Sequence, residues 1–264
     1  MPVSRVNGIN IYYELHGDGE PVIFGNGVFS NTLGWLYQVP VFSKEYQVIL
    51  YDMRGQGQSD KPPGPYSFDI HAEDQKALLD ELGISKVHHV GISYGAELGL
   101  VFALKYPEML KSLVVCSGVS YVGPLLNHMC QLWRSVCKLG NPDLFFHATV
   151  PLNFGPTFLK EQVAFLEKAK ERYAELEFAP FVSLLDAFLA LNITDQLSQI
   201  EIPTCIIAGE DDILKPANPY SSVIHDKISN SEMIIVRASG HAVTFEKPEE
   251  FNSIVLGFLR KQGK

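Results

Sequence analysis

The sequence is poor in the features that mark membrane, secreted and nucleic-acid-binding proteins. No apolar run in its 264 residues reaches the roughly 18 residues that a membrane-spanning helix needs. Its 30 acidic residues outnumber 21 basic ones, and the net charge of −9 disfavours nucleic acid or an anionic membrane surface as a partner. The segment 1–5 lacks the basic start of a signal peptide, and no apolar stretch follows it. We therefore expect a cytoplasmic protein without a membrane span.

Cysteine is also scarce, and the spacing of the cysteines matches no metal-binding pattern. We expect reduced thiols, two of them inside buried strands, where cysteine behaves as a small hydrophobic residue. The sequence also lacks a G-x-G-x-x-G segment after a predicted strand and a cluster of histidine and cysteine. No metal and no organic cofactor are therefore predicted. The four cysteines are Cys116, Cys130, Cys137 and Cys205.

What the sequence does contain is an alternation of apolar runs and helical patterns. A hairpin is predicted over 3–15, turning at Asn7-Gly8. Six apolar runs without polar alternation follow, which favours strands covered on both faces and hence a parallel sheet. We predict an α/β fold with a doubly wound, mostly parallel, eight-stranded sheet. The six runs are 22–24, 48–51, 87–92, 113–116, 205–208 and 233–236.

One stretch interrupts this alternation. From 121 to 199 there is no convincing strand, and helical segments are broken by prolines and carry many aromatic residues. We predict a helical cap over 121–199, inserted after the sixth strand and lying over the strand ends. The core of the fold then comprises 1–120 and 200–264. Most cap aromatics should pack against the core, and we assign Trp133 to substrate binding.

The most informative motif is Gly91-Ile92-Ser93-Tyr94-Gly95, which stands between a predicted strand and a predicted helix. A G-x-S-x-G segment in that position is typical of a nucleophile elbow, a tight turn that exposes a serine above the sheet. The alternative is a structural serine in a turn. The helix N-terminus beneath Ser93 would favour an oxyanion through its free N–H groups.

A serine nucleophile needs a base, and the base needs an orienting acid. His241 lies in a loop after the last strand, at the same edge of the sheet as Ser93, so we predict it as the base. Three consecutive carboxylates, Glu210, Asp211 and Asp212, follow the seventh strand. One of them should face His241.

These motifs resemble the α/β-hydrolase superfamily over essentially the whole chain. The G-x-x-D-x-x-x-P pattern of that family matches Gly209, Asp212 and Pro216, so the resemblance selects Asp212 as the acid. Residues 52–59 resemble the family's D-x-R-G-x-G-x-S turn, which we interpret as architectural. The resemblance implies that the backbone N–H groups of Val28 and Tyr94 form the oxyanion hole.

The loop before Val28 departs from the usual His-Gly pattern of the superfamily. Its Gly25-Asn26-Gly27-Val28 segment is similar to that of 3-oxoadipate enol-lactonases, and Trp35 and the 60–66 segment fit their spacing as well. Tyr94-Gly95-Ala96 departs from their usual Met-Gly-Gly. On this resemblance we assign Asn26 and Gly27 to substrate binding.

The sequence therefore predicts a serine hydrolase that cleaves an ester or lactone bond of a small, mainly apolar molecule through an acyl-enzyme. The same triad could instead serve C–C bond hydrolysis, thioester cleavage or cofactor-free perhydrolysis, because the fold does not choose among them. Haloalkane dehalogenation is disfavoured, since it needs a carboxylate at position 93. A ligand-binding receptor or regulator with a hydrolase fold is a further alternative.

Overall fold

The computed structural model describes residues 2–263; Met1 and Lys264, the outer ends of the predicted core, lie outside them. The described residues form an eight-stranded sheet in the order β1-β2-β4-β3-β5-β6-β7-β8, once the strands are numbered along the chain. The strands are β1 Val3–Val6, β2 Ile9–His16, β3 Glu20–Gly25, β4 Tyr46–Tyr51, β5 Val87–Ile92, β6 Leu110–Cys116, β7 Thr204–Gly209 and β8 Ser231–Val236.

The pairing within the sheet is mostly parallel, as predicted. β1 pairs antiparallel with β2, and β2 with β4, while all further neighbours run parallel. The turn between β1 and β2 places Asn7 and Gly8 at φ values of 48° and 80°, the left-handed region that an Asn-Gly turn favours. The carboxyl ends of the parallel strands therefore meet at one edge of the sheet.

The helices cover both faces of the sheet. In chain order they are α1 Val39–Phe42, α2 Phe68–Glu81, α3 Tyr94–Lys105, α4 Pro124–Leu139, α5 Pro142–Asn153, α6 Pro156–Glu161, α7 Val163–Tyr173, α8 Phe178–Leu189, α9 Ser222–Lys227, α10 Val243–Glu246 and α11 Pro248–Gln262. Helices α2 and α3 contribute to one buried core, and α1 and α11 to the other.

The lack of polar alternation along the strands follows from this double cover. Along β6, Leu113 and Val115 belong to the core beneath α2 and α3, whereas Val114 and Cys116 belong to the core beneath α1 and α11. Successive side chains of a strand point to opposite faces, so both faces must be apolar. The predicted fold class is confirmed.

Five helices, α4 to α8, stand between β6 and β7. This segment leaves and rejoins the core at one place, where Tyr121 and Asn192 form an isolated bridge. We retain 121–199 as the proposed limits of the cap. In the part of the chain that the structure describes, no helix is long and apolar enough to cross a membrane.

Candidate active site

Ser93 occupies a strained turn between β5 and α3. Its backbone has φ 52° and ψ −119°, a region that residues with a Cβ rarely adopt. The turn closes because glycines flank it. A Cβ on Gly91 would collide with the backbone of Gly95, and a Cβ on Gly95 would collide with the carbonyl of Gly25. The sequence motif thus places a strained serine at the carboxyl edge of the sheet.

His241 and Asp212 meet at the same edge. The Nδ1 atom of His241 lies 2.8 Å from Oδ2 of Asp212, and both side chains are almost fully buried. The other carboxylate oxygen, Oδ1, accepts from the amides of Leu214 and Lys215 at 3.0 and 2.8 Å. Burial by itself raises the pKa of Asp212, but His241 and the Lys215 amide outweigh it, so the pKa lies below its usual value. The ionised carboxylate fixes Nδ1 of the ring as the donor.

Close packing at Gly209 and a hydrogen bond from Ser117 hold the loop of His241 against the strand ends. A Cβ on Gly209 would collide with the carbonyls of Ser239 and Gly240, so only glycine lets the loops approach this closely. The backbone oxygen of His241 accepts from the Ser117 hydroxyl at 3.0 Å. The histidine loop is therefore fixed to the ends of both β7 and β6.

The other two carboxylates of the run after β7 do not contact His241. Glu210 is exposed, and its carboxylate accepts from the amide of Ala238 at 3.1 Å. Asp211 is half-buried, and its amide donates to the carbonyl of Ser239 at 2.8 Å. Of the three candidates, only Asp212 has the geometry to orient the imidazole.

The hydroxyl of Ser93 has an unexpected partner. Within residues 2–263, Ser93 Oγ accepts a hydrogen bond from Lys215 Nζ at 3.1 Å, and no hydrogen bond joins Oγ to the His241 ring. Lys215 Nζ also lies 2.9 Å from Oε1 of Glu97. Lys215 is 3% exposed and Glu97 is fully buried. Burial raises the pKa of Glu97, although Lys215 and the Val119 amide oppose that rise.

Sequence reasoning assigned no role to Lys215 or Glu97, although one signal was available. Glu97 lies one turn after Ser93 in α3, a helix whose residues from Tyr94 to Ala103 are all buried. A carboxylate in such a helix requires a cationic or hydrogen-bonding partner, because an isolated buried charge is costly. The lysine that supplies it is three residues after Asp212, in the family motif itself.

The loop expected to hold the oxyanion is anchored through Asn26. Its Nδ2 donates to the Tyr51 carbonyl at 2.9 Å, and its Oδ1 accepts from Trp35 Nε1 at 2.7 Å. The residue is 1% exposed. Both polar atoms are thus engaged by the protein, and these two contacts hold the loop in place. Asn26 also lines the cavity that contains Ser93, so its assignment to substrate binding stays a prediction.

The predicted oxyanion donors lie beside Ser93. A Cβ on Gly27 would be 3.6 Å from the Ser93 Cβ, so the loop runs directly past Ser93. Tyr94 is the first residue of α3. Among the described residues, neither the Val28 amide nor the Tyr94 amide donates to a protein acceptor. Both remain candidates for the oxyanion hole.

Two spaces adjoin Ser93. A cavity of about 190 Å³ is lined by Ser93, His241 and several aromatic and neutral polar residues. A chamber of about 20 Å³ lies on the Lys215 side of Ser93. Trp133 borders both, with its Nε1 donating to the Ala148 carbonyl at 2.8 Å. Its predicted position in the site is therefore compatible with substrate contact.

Neither Arg134 nor any of the cysteines forms a hydrogen bond with His241 or Asp212 in the described part of the chain. The guanidinium of Arg134, in α4, pairs with the carboxylate of Asp186, in α8, at the surface. The four cysteines are free and buried, and burial raises the pKa of the Cys130, Cys137 and Cys205 thiols to about 12. Over residues 2–263, no three histidine, cysteine or carboxylate side chains are grouped as metal ligands would be.

Comparison with known proteins agrees with this geometry. A family model described as alpha/beta hydrolase fold matches residues 20–248. The putative carbamate hydrolase RutD of Stutzerimonas stutzeri is 30% identical over 263 residues, covering 96% of this chain and 97% of that protein. The 3-oxoadipate enol-lactonase 2 of Acinetobacter baylyi is 28% identical over 92% of this chain and 90% of its own length.

Among solved structures, the α/β-hydrolase enzyme MGS-M2, from a Medee basin deep-sea metagenome library, superposes with a TM-score of 0.94. It is 32% identical and the match covers 98% of this chain and 97% of that one. The agreement therefore extends through the segment from α4 to α8 as well as the sheet.

Proposed function

This chain belongs to the α/β-hydrolase family and is a hydrolase of that fold, and on that premise we propose that it is a serine hydrolase of small, mainly apolar esters or lactones. The observation that carries the proposal is the buried 2.8 Å contact between His241 Nδ1 and Asp212, at the cavity that Ser93 also lines. A strained serine, an imidazole and an oriented carboxylate are the groups that acyl transfer requires.

In the proposed reaction, Ser93 Oγ attacks the scissile carbonyl while Nε2 of His241 accepts its proton. Asp212 holds the tautomer that leaves Nε2 free and stabilises the imidazolium. The amides of Val28 and Tyr94 donate to the oxyanion; such donors contribute roughly 3–4 kcal/mol each in measured cases. Nε2 then returns the proton to the leaving oxygen, and water activated by His241 releases the acyl group.

The resting contact of Ser93 adds one step to this scheme. Because Oγ accepts from Lys215 in the structure, the hydroxyl must also come within hydrogen-bond distance of His241 before or during the attack. A serine has three staggered χ1 positions, and rotation about χ1 is the movement that we propose for this exchange.

The lining of the larger cavity supports a neutral substrate. It includes Trp133, Phe154, Tyr173 and Phe245, and neither lysine nor arginine is among its lining residues within the described chain. The relatives are named for a carbamate and for an enol-lactone, both of which present an acyl carbonyl to a nucleophile. Carbamate esters therefore belong in the test set beside esters and lactones.

The test is a turnover screen with p-nitrophenyl esters of increasing chain length, lactones, carbamate esters and thioesters, paired with fluorophosphonate labelling. We expect turnover of short neutral esters or lactones and labelling at Ser93, with Ser93→Ala as the control that loses both. Preferred cleavage of thioesters would replace the ester assignment. No labelling and no turnover would refute the serine-hydrolase proposal.

A further inference from the structure

The small chamber beside Ser93 contains a buried lysine whose function the proposed mechanism does not explain. Lys215 Nζ contacts the Glu97 carboxylate and the Ser93 hydroxyl, and it lies 4.6 Å from the ring centroid of Phe188. An ammonium has three N–H donors, so these three contacts satisfy the group in the resting state. One of the three acceptors, however, is the nucleophile itself.

The position of His241 determines which part of the substrate occupies the chamber. The leaving oxygen must lie near His241, because His241 returns the proton to it. His241 lines the larger cavity and is not part of the chamber. The chamber is a separate space beside Ser93, and both predicted oxyanion residues, Val28 and Tyr94, border it. The acyl group therefore points toward Lys215, and the leaving group occupies the larger cavity.

The size and lining of the chamber restrict that acyl group. A volume of about 20 Å³ is close to the smallest space that holds a water molecule. Apart from Ser93 and Lys215, its walls are mostly apolar side chains; they include Leu126, Cys130, Leu185, Phe188 and Leu214. The chamber can thus accept a branch of one or two heavy atoms, and Lys215 is the charged group that such a branch meets.

Acylation removes one acceptor of Lys215. When Oγ becomes the ester oxygen of the acyl-enzyme, it is a much poorer acceptor than a hydroxyl. A buried donor left without an acceptor is unfavourable. A substrate whose acyl group places an oxygen in the chamber replaces the acceptor that Lys215 has lost. An alkyl branch of the same size cannot replace it.

We propose that Lys215 determines specificity for acyl groups that carry a neutral oxygen on the carbon next to the scissile carbonyl, as in 2-hydroxy and 2-oxo acyl esters. The inference rests on the proposed serine-hydrolase function. Glu97 neutralises the charge of the lysine at 2.9 Å, so the pair offers a hydrogen-bond donor rather than a net positive charge. This favours a hydroxyl or carbonyl oxygen over a carboxylate.

The test compares ethyl lactate with ethyl isobutyrate, two esters of nearly the same shape that differ by a hydroxyl in place of a methyl group. Each kcat/KM is divided by the rate constant for hydroxide-catalysed hydrolysis of the same ester, which corrects for intrinsic reactivity. We expect the wild-type protein to prefer lactate at least tenfold after this correction. A corrected ratio at or below one would overturn the proposal without any variant.

The same ratio is then measured in Lys215→Met, and in Lys215→Met combined with Glu97→Gln, which removes both buried charges and keeps an acceptor for the Val119 amide. We expect the lactate preference to disappear in whichever variant folds, and to persist in Lys138→Met, a control at an exposed cap position. A preference that survives removal of Lys215 would contradict the assignment.

The serine-hydrolase function and the role of Lys215 in specificity are refuted by different results. Hydrolysis of both esters without a lactate preference would leave the serine hydrolase in place and refute the role of Lys215. Absence of turnover for both esters, together with no fluorophosphonate labelling of the wild-type protein, would refute the proposed function and with it this inference.

Discussion

The indole nitrogen of Trp35 donates a hydrogen bond to Oδ1 of Asn26 across 2.7 Å, inside the core. The two residues are nine positions apart, and the contact fixes the loop that carries Val28 against the edge of the sheet. Asn26 also donates to the Tyr51 carbonyl at the end of β4. The loop that we propose to hold an oxyanion donor is thus attached through one side chain to two different parts of the chain.

We expect Asn26→Ala to lower kcat strongly while the protein still folds. The change leaves the Trp35 indole and the Tyr51 carbonyl without partners, which costs about 1–3 kcal/mol for each group. Displacement of an oxyanion donor lowers kcat by about 10²–10³-fold in measured cases. Ester turnover and urea unfolding measure the two effects.

Asn31→Ala is the control for this change, because the Asn31 side chain, within residues 2–263, accepts only from the Leu33 amide at the start of the turn Thr32–Trp35 and makes no hydrogen bond to Asn26 or Tyr51. The Asn31→Ala change should lower the free energy of unfolding by roughly 1 kcal/mol and leave kcat nearly unchanged. Equal losses of kcat in the two variants would show that the anchor of Asn26 has no special role.

Substitution of Ser93 tests the nucleophile and the strain of its turn together. Ser93→Ala and Ser93→Gly should both lose nearly all turnover, and both deprive Lys215 of the same acceptor. Their stabilities should differ, because glycine relieves about 1–3 kcal/mol of backbone strain at φ 52°. The greater entropy of the unfolded chain lowers the stability of the glycine variant by about 0.4–1 kcal/mol relative to the alanine variant. This entropy effect is smaller than the relief of strain.

We therefore expect the glycine variant to be at least as stable as the alanine variant in urea unfolding. An alanine variant clearly more stable than the glycine variant would mean that the elbow stores no strain. Retention of even a tenth of wild-type kcat by either one would rule out Ser93 as the nucleophile.

The assignment of the acid predicts one large effect among three neighbouring carboxylates. Asp212→Asn should lower kcat by roughly 10⁴-fold, by analogy with loss of the orienting acid in other triads. Asp211→Asn and Glu210→Gln should stay within about tenfold, because neither side chain contacts His241. Steady-state kinetics with one ester measures kcat for all three variants. A larger loss of kcat for Asp211→Asn than for Asp212→Asn would identify Asp211 as the orienting acid instead.

The sheet could be predicted because its signals are local in the sequence, and the residues of the proposed triad were selected by local signals as well. Apolar runs specify β3 to β8 within a few residues, and the strand–turn–helix context specifies the elbow. The strands extend past the predicted runs at polar residues such as Glu20 and Ser231, which pair with neighbours although they add no apolar signal. Asp212 required the family resemblance, because three carboxylates in a row offer no internal basis for a choice.

The pairing of Lys215 with Glu97 could not be predicted in the same way. The two residues are 118 positions apart, and neither stands in a periodic pattern that points to the other. The partner of a buried charge depends on how α3 and the loop after β7 pack together. The hydrogen bonds of Asn26 could not be predicted either, since its spacing to Trp35 suggested a family but not which atoms form hydrogen bonds.

Asp52 should give the folding equilibrium a distinctive pH dependence. Burial raises its pKa to about 6, although the amides of Gln58 and Thr32 oppose the rise. From about pH 4 to pH 6 the folded protein then binds more protons than the unfolded chain, so stability falls as pH rises through that window. A shift of about 2 units corresponds to at most roughly 3 kcal/mol.

Urea unfolding of wild type and Asp52→Asn between pH 4 and pH 7.5 measures this effect. The variant loses one acceptor at every pH, which shifts its stability by a constant amount, but it cannot titrate at this position. The stability difference, wild type minus variant, should therefore decrease as pH rises. A difference that is constant or that increases with pH would contradict the raised pKa.

The charges around the site predict discrimination against anionic substrates. Arg134 pairs with Asp186 at the surface and Lys215 pairs with Glu97, so neither offers an unpaired cation. The residues that line the larger cavity, within the described chain, include no lysine or arginine. A substrate carboxylate buried there would lack a partner, which is costly.

Dimethyl succinate should therefore exceed monomethyl succinate in kcat/KM by at least about 100-fold at pH 7.5. For the same reason 3-oxoadipate enol-lactone should be a poorer substrate than neutral lactones, despite the likeness of residues 25–28 to the enol-lactonases. Turnover of that lactone well above every neutral ester and lactone would show that a cation reaches the cavity during catalysis.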